Sequence, residues 1–144
     1  MNTSSDMEFH FGNLSADGDI EEHWQILLHI NAPFEIIVGG AVWYRETDFP
    51  VVEFAACIAD WQSAGGDLNY TSIESEDDPL IAFNRTAGGD LLFHSPHAIK
   101  VISPRVTREM LERAADQFVT RLKMEVLRSF NVEISRVLSE HPAG

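Results

Sequence analysis

Positive charge is almost missing from the first two-thirds of this sequence. Residues 1–99 hold 17 Asp and Glu but only two bases, Arg45 and Arg85, a net charge of −15. A surface with so little basic character is a poor match to the phosphates of DNA or RNA, or to an anionic membrane. Cysteine is scarce as well. The single thiol, Cys57, rules out an internal disulfide framework and suits a reducing compartment. No apolar run approaches the ~20 residues of a membrane span. Residues 1–6 have no basic stretch leading into an apolar one, so no export signal is read there and the cytoplasm is the expected location. Repeats and low-complexity linkers are lacking too. The 144 residues are expected to form a single domain, 1–144, with residues 1–6 and 139–144 as flexible ends.

The composition, 44% hydrophobic and 23% charged, is that of a soluble globular chain. A domain of this length buries ~68–70% of the surface its unfolded chain exposes, so it needs no metal or disulfide staple. The charge is unevenly spread. Residues 100–144 carry a net +2, which leaves the whole chain at −13. Asymmetry of this kind points to a partner of opposite sign.

Residues 7–14 alternate, with Phe9 and Phe11 on one face and Glu8 and His10 on the other, which predicts a half-buried strand. Residues 23–30 alternate again. Trp24, Ile26, Leu28 and Ile30 point one way, His23, Gln25, Leu27 and His29 the other, and Asn31-Ala32-Pro33 is read as the end. Gly39-Gly40 then joins two strands as a two-residue hairpin. A loop of that length pairs Val38 with Ala41, Ile36 with Trp43 and Phe34 with Arg45, and opposed side chains share a face. Phe34, Ile36, Val38, Ala41 and Trp43 are therefore expected in the core. Glu35, Ile37, Val42 and Tyr44 are expected on the other face, which is too apolar for idle surface.

Asp48-Phe49-Pro50 predicts a helix over 48–64, capped by Asp48, with Val51, Phe54, Ala55, Ile58 and Trp61 at helical spacing. Gly65-Gly66 ends it. Short strands follow over 68–74, 80–85, 91–94 and 98–102, and their brief loops favour antiparallel neighbours. Thr107 caps a long helix whose stripe is Leu111, Ala115, Phe118, Leu122, Val126 and Phe130. Asn131 either ends this helix or kinks it ahead of a continuation over 132–138. The order of elements predicts an α+β fold: a single antiparallel sheet of about six to eight strands with two helices on one face, the C-terminal one long.

Chemistry-bearing patterns are few. His94 and His97 lie three apart, but Pro96 prevents a helix between them and no Cys or carboxylate completes a zinc set. His10, His23 and His29 share the polar face of two strands, where uncoordinated side chains are the commoner outcome. No metal and no cofactor is expected. The acidic run Glu74, Glu76, Asp77 and Asp78 lacks the glycine and ligand spacing of a calcium loop and reads as a charged hairpin tip. Cys57 has no base beside it in sequence, so an inert thiol is expected. None of the glycine pairs matches a phosphate loop, and no nucleophile elbow occurs.

Trp24-Gln25-Ile26, the Gly39-Gly40 hairpin leading into Phe49-Pro50-Val51-Val52-Glu53-Phe54, and Asp77-Asp78-Pro79-Leu80-Ile81-Ala82-Phe83 together resemble an uncharacterised family of small acidic bacterial proteins. Some of these are similar to immunity proteins of polymorphic toxin systems. The resemblance spans about residues 20–100. It implies an antidote that binds a cognate toxin and blocks it, and it carries no catalytic residue across. Charge and resemblance together lead to a stoichiometric inhibitor of a basic toxin domain, not an enzyme. Its expected contact residues are Glu35, Ile37, Val42, Tyr44, Glu74, Glu76, Asp77 and Asp78. A small ligand-binding domain or enzyme, and an adaptor subunit of a bacterial assembly, stay open as alternatives.

Overall fold

The computed structural model describes residues 7–16, 30–71, 81–95, 105–131 and 133–134. The acidic run at 74–78, the strand expected over 98–102 and all but Ile30 of the strand expected over 23–30 lie outside these residues. Alternation in the first segment forms β1 (Met7–Phe11), followed by the two-residue β2 (Ser15–Ala16). Both pair antiparallel with β3 (Ile30–Val38), and β3 pairs across the Gly39-Gly40 turn with β4 (Ala41–Phe49). Helix α1 (Val51–Ala64) leads into a second antiparallel sheet. This runs β5 (Leu68–Tyr70), β6 (Ile81–Arg85), β7 (Leu91–His94), β8 (Arg105–Val106). The long helix α2 (Arg108–Phe130) comes last.

The fold is α+β, but with two sheets where one of six to eight strands was expected. The reason is the position of α1. It intervenes between β4 and β5, so the short-loop argument holds within each half of the chain and not across the helix. Side chains join the halves instead: Trp43 lies 6.0 Å from Phe93 and Phe9 lies 6.3 Å from Phe83, ring centre to ring centre.

Gly39 and Gly40 have φ of 59° and 83°. Two positive values in succession are what a tight hairpin turn of this twist demands, and side-chain-bearing residues resist them. The pairing starts as expected, Val38 with Ala41 and Ile37 with Val42. It then slips by one residue, so that Ile36 faces Tyr44 where Trp43 was expected, and Glu35 faces Arg45. An extra residue on one strand is a β-bulge, and here both Trp43 and Tyr44 end up buried. A second slip occurs between Ala32 and Phe34, where Ala32 pairs with Phe49 and Phe34 with Glu46. Pro33 sits between them. Proline is tolerated in a sheet at such bulges, so Asn31-Ala32-Pro33 does not end the strand. The Pro33 carbonyl still accepts a bond from the Gly12 N–H at 2.9 Å.

This second slip also delays α1. Phe49 is drawn into the core and stacked on Phe34 at 4.3 Å. Asp48 therefore belongs to β4, and the helix starts at Val51 instead of 48. Pro50 precedes it with no capping side chain, and its carbonyl accepts the Phe54 N–H at 3.1 Å. Gly65 closes α1 at φ 75°, its N–H donating to the Trp61 carbonyl at 2.7 Å. In α2, the Thr107 side chain accepts the Met110 N–H, and Asn131 stops the helix in the left-handed region at φ 55°. The helix ends there, and residues 132 and 135–138 of the expected continuation lie outside the described residues.

The core is aromatic. Phe118 from α2 sits 6.0 Å from Phe9, 5.8 Å from Phe11, 5.9 Å from Phe34 and 5.6 Å from Phe54. Both helices thus press on the Phe9, Phe34 and Ile36 face of the first sheet. Its other face carries neither helix.

Candidate functional site

The face of the first sheet turned away from the helices is built by register. Glu8 pairs with Ile37, and Ile37 with Val42, which sets these three side chains in one row. His10 pairs with Glu35, and Glu35 with Arg45, which sets a second row beside it. Ile37 and Val42 are half-buried, so the middle of the face is apolar between carboxylates.

Two polar contacts organise the rows. Arg45 donates from both Nε and Nη2 to the single oxygen Oε2 of Glu35, each at 2.7 Å. The carboxylate is 24% exposed and the guanidinium side chain 57%, so solvent screens this pair. His10 Nδ1 lies 3.2 Å from Glu8 Oε2.

Two depressions flank these rows. One, of about 390 Å³, lies between the hairpin end of the face and the start of α2, where Met7, Glu8 and Ile37 meet Met110, Arg113 and Gln117. The other, of about 260 Å³, lies at the Pro33 bulge and is lined by His10, Glu35, Arg45, Glu46 and Thr47, with Gly12, Pro33 and Phe34.

A family model described as a domain of unknown function, DUF7878, matches residues 7–128. The chain belongs to the DUF7878 family. The match runs from the first residue of β1 to the last turns of α2, so the outward face lies inside the DUF7878 domain. No curated protein and no solved structure matches the chain.

Of the contact residues expected from sequence, the DUF7878 domain brings Glu35, Ile37 and Val42 together on this face. Tyr44 is not among them. It is fully buried, with its ring 6.1 Å from both Phe34 and Phe49. The bulge at Trp43 reverses the direction that strict alternation assigns to Tyr44, and this corrects its role from surface anchor to core. Glu74, Glu76, Asp77 and Asp78 lie outside the described residues. Sequence reasoning missed Arg45 as the partner of Glu35. A signal existed in the opposed charges of Glu35 and Arg45, which satisfy one another only if the register slips by one residue.

Other candidates of the DUF7878 domain take quieter positions. Cys57 has its thiol pushed up to about 12 by burial, and then by the nearby charges of Asp60 and Glu53. Its Sγ donates to the Asn69 carbonyl at 3.4 Å. A thiol so hard to ionise is a poor nucleophile. His94 is exposed at the end of β7, and His23, His29 and His97 lie outside the described residues. Among the described residues, no three His, Cys, Asp or Glu side chains gather as a metal site would require. No helix among them is long and apolar enough to cross a membrane.

Proposed function

We propose that this DUF7878 protein is an immunity protein, which binds a basic bacterial toxin domain in the cytoplasm and neutralises it by one-to-one occlusion. The observation that carries the reading is the charge of −15 on residues 1–99, the segment that supplies all four strands of the first sheet. The outward face of that sheet combines two ingredients of a protein-binding surface. Ile37 and Val42 offer apolar area at its centre, and Glu8 and Glu35 offer negative charge around it. An acidic field raises the encounter rate with a basic partner, and salt screens that field beyond a Debye length of ~10 Å at 0.1 M. The resemblance of the sequence pattern to a family of small acidic proteins, some of them similar to immunity proteins, agrees with this reading.

The test is a binding and protection experiment with the toxin domain encoded beside this gene. The expected result is a one-to-one complex whose association rate falls steeply as salt rises, together with survival of cells that express both proteins. Reversing Glu76, Asp77 and Asp78 to Lys is expected to slow association. Failure to form the complex, or an association rate indifferent to salt, overturns the proposal.

A further inference from the structure

We draw no further inference here: the strongest candidate, the exposed apolar patch of Met124 and Leu127 on the outer face of α2, carries nothing because nothing in the structure shows what covers it.

Discussion

Truncating Tyr44 to alanine puts the bulge in β4 to a direct test. The side chain is fully buried and packs edge-on against Phe34 and Phe49. Truncating a core aromatic ring to a methyl group costs ~3–5 kcal/mol, through lost transfer free energy and the cavity left behind. Domains carry ~5–15 kcal/mol of stability in total, so the loss is a large share. Ile37 is a fair comparison, because it lies one pair away on the same hairpin but is only half-buried. Its truncation to alanine is expected to cost ~1–2 kcal/mol, less than the ~2–5 kcal/mol of a fully buried isoleucine. At ~3–5 °C per kcal/mol for a chain of this size, Tyr44→Ala should melt about 10–20 °C below wild type. Urea unfolding is the cleaner assay, since an unchanged slope with a lowered midpoint isolates a change in stability. Tyr44→Phe, which keeps the ring, should retain most of the midpoint. A loss below ~1 kcal/mol for Tyr44→Ala, or one no larger than that for Ile37→Ala, would place the side chain in solvent and refute the slipped register.

Phe118→Ala should cost ~3–5 kcal/mol, because this ring is where α2 meets β1, β3 and α1, while Phe118→Leu should cost less than ~2 kcal/mol in the same urea assay. Thr107→Ala removes the acceptor of the Met110 N–H and should lower stability by ~1 kcal/mol, with Thr107→Ser recovering most of it. Cys57 should react with iodoacetamide at pH 8 only after the chain is unfolded. The folded thiol stays neutral up to about 12, against 9.0 for the free group, so stability should decline as pH rises between those values. Cys57→Ala should lack that component, and identical alkaline profiles for the two proteins would contradict the burial of the thiol.

The parts of the fold legible in the sequence are those governed by local chemistry. Thr107 and Gly65 act within one turn of backbone, and Gly39-Gly40 acts within four residues, so each was readable from its neighbours, whereas at Asn131 an end and a kink both stayed open. Helix α2 announced itself through six apolar positions at helical spacing. The strand pairing misled because a bulge is a tertiary choice: nothing in Val42-Trp43-Tyr44 states that two successive aromatic residues both turn inward. They do so because Tyr44 meets Phe34 and Phe49, while Trp43 meets Phe93 of the second sheet. The start of α1 failed for a related reason, since the stacking of Phe49 on Phe34 outweighs the capping preference of Asp48. The candidate face was half legible. Glu35, Ile37 and Val42 follow from alternation beside the turn, whereas the Glu35–Arg45 pair and the groove beside it depend on the slips.

Those slips also bear on how the protein behaves in a crowded solution. Among the described residues, no strand pairs with β4 on the side away from β3. A nine-residue strand with a free edge is a template on which another chain can zip itself, the first step toward aggregation. Here the row of edge amides and carbonyls is interrupted twice, once at Trp43 and again beyond Glu46, and Arg45 projects between the two breaks. A foreign strand of regular pitch finds only about two or three consecutive partners before the spacing fails. Bulges that turn Tyr44 and Phe49 into the core thus also keep β4 from recruiting strands of other molecules, and a variant that lacked them would gain a continuous sticky edge.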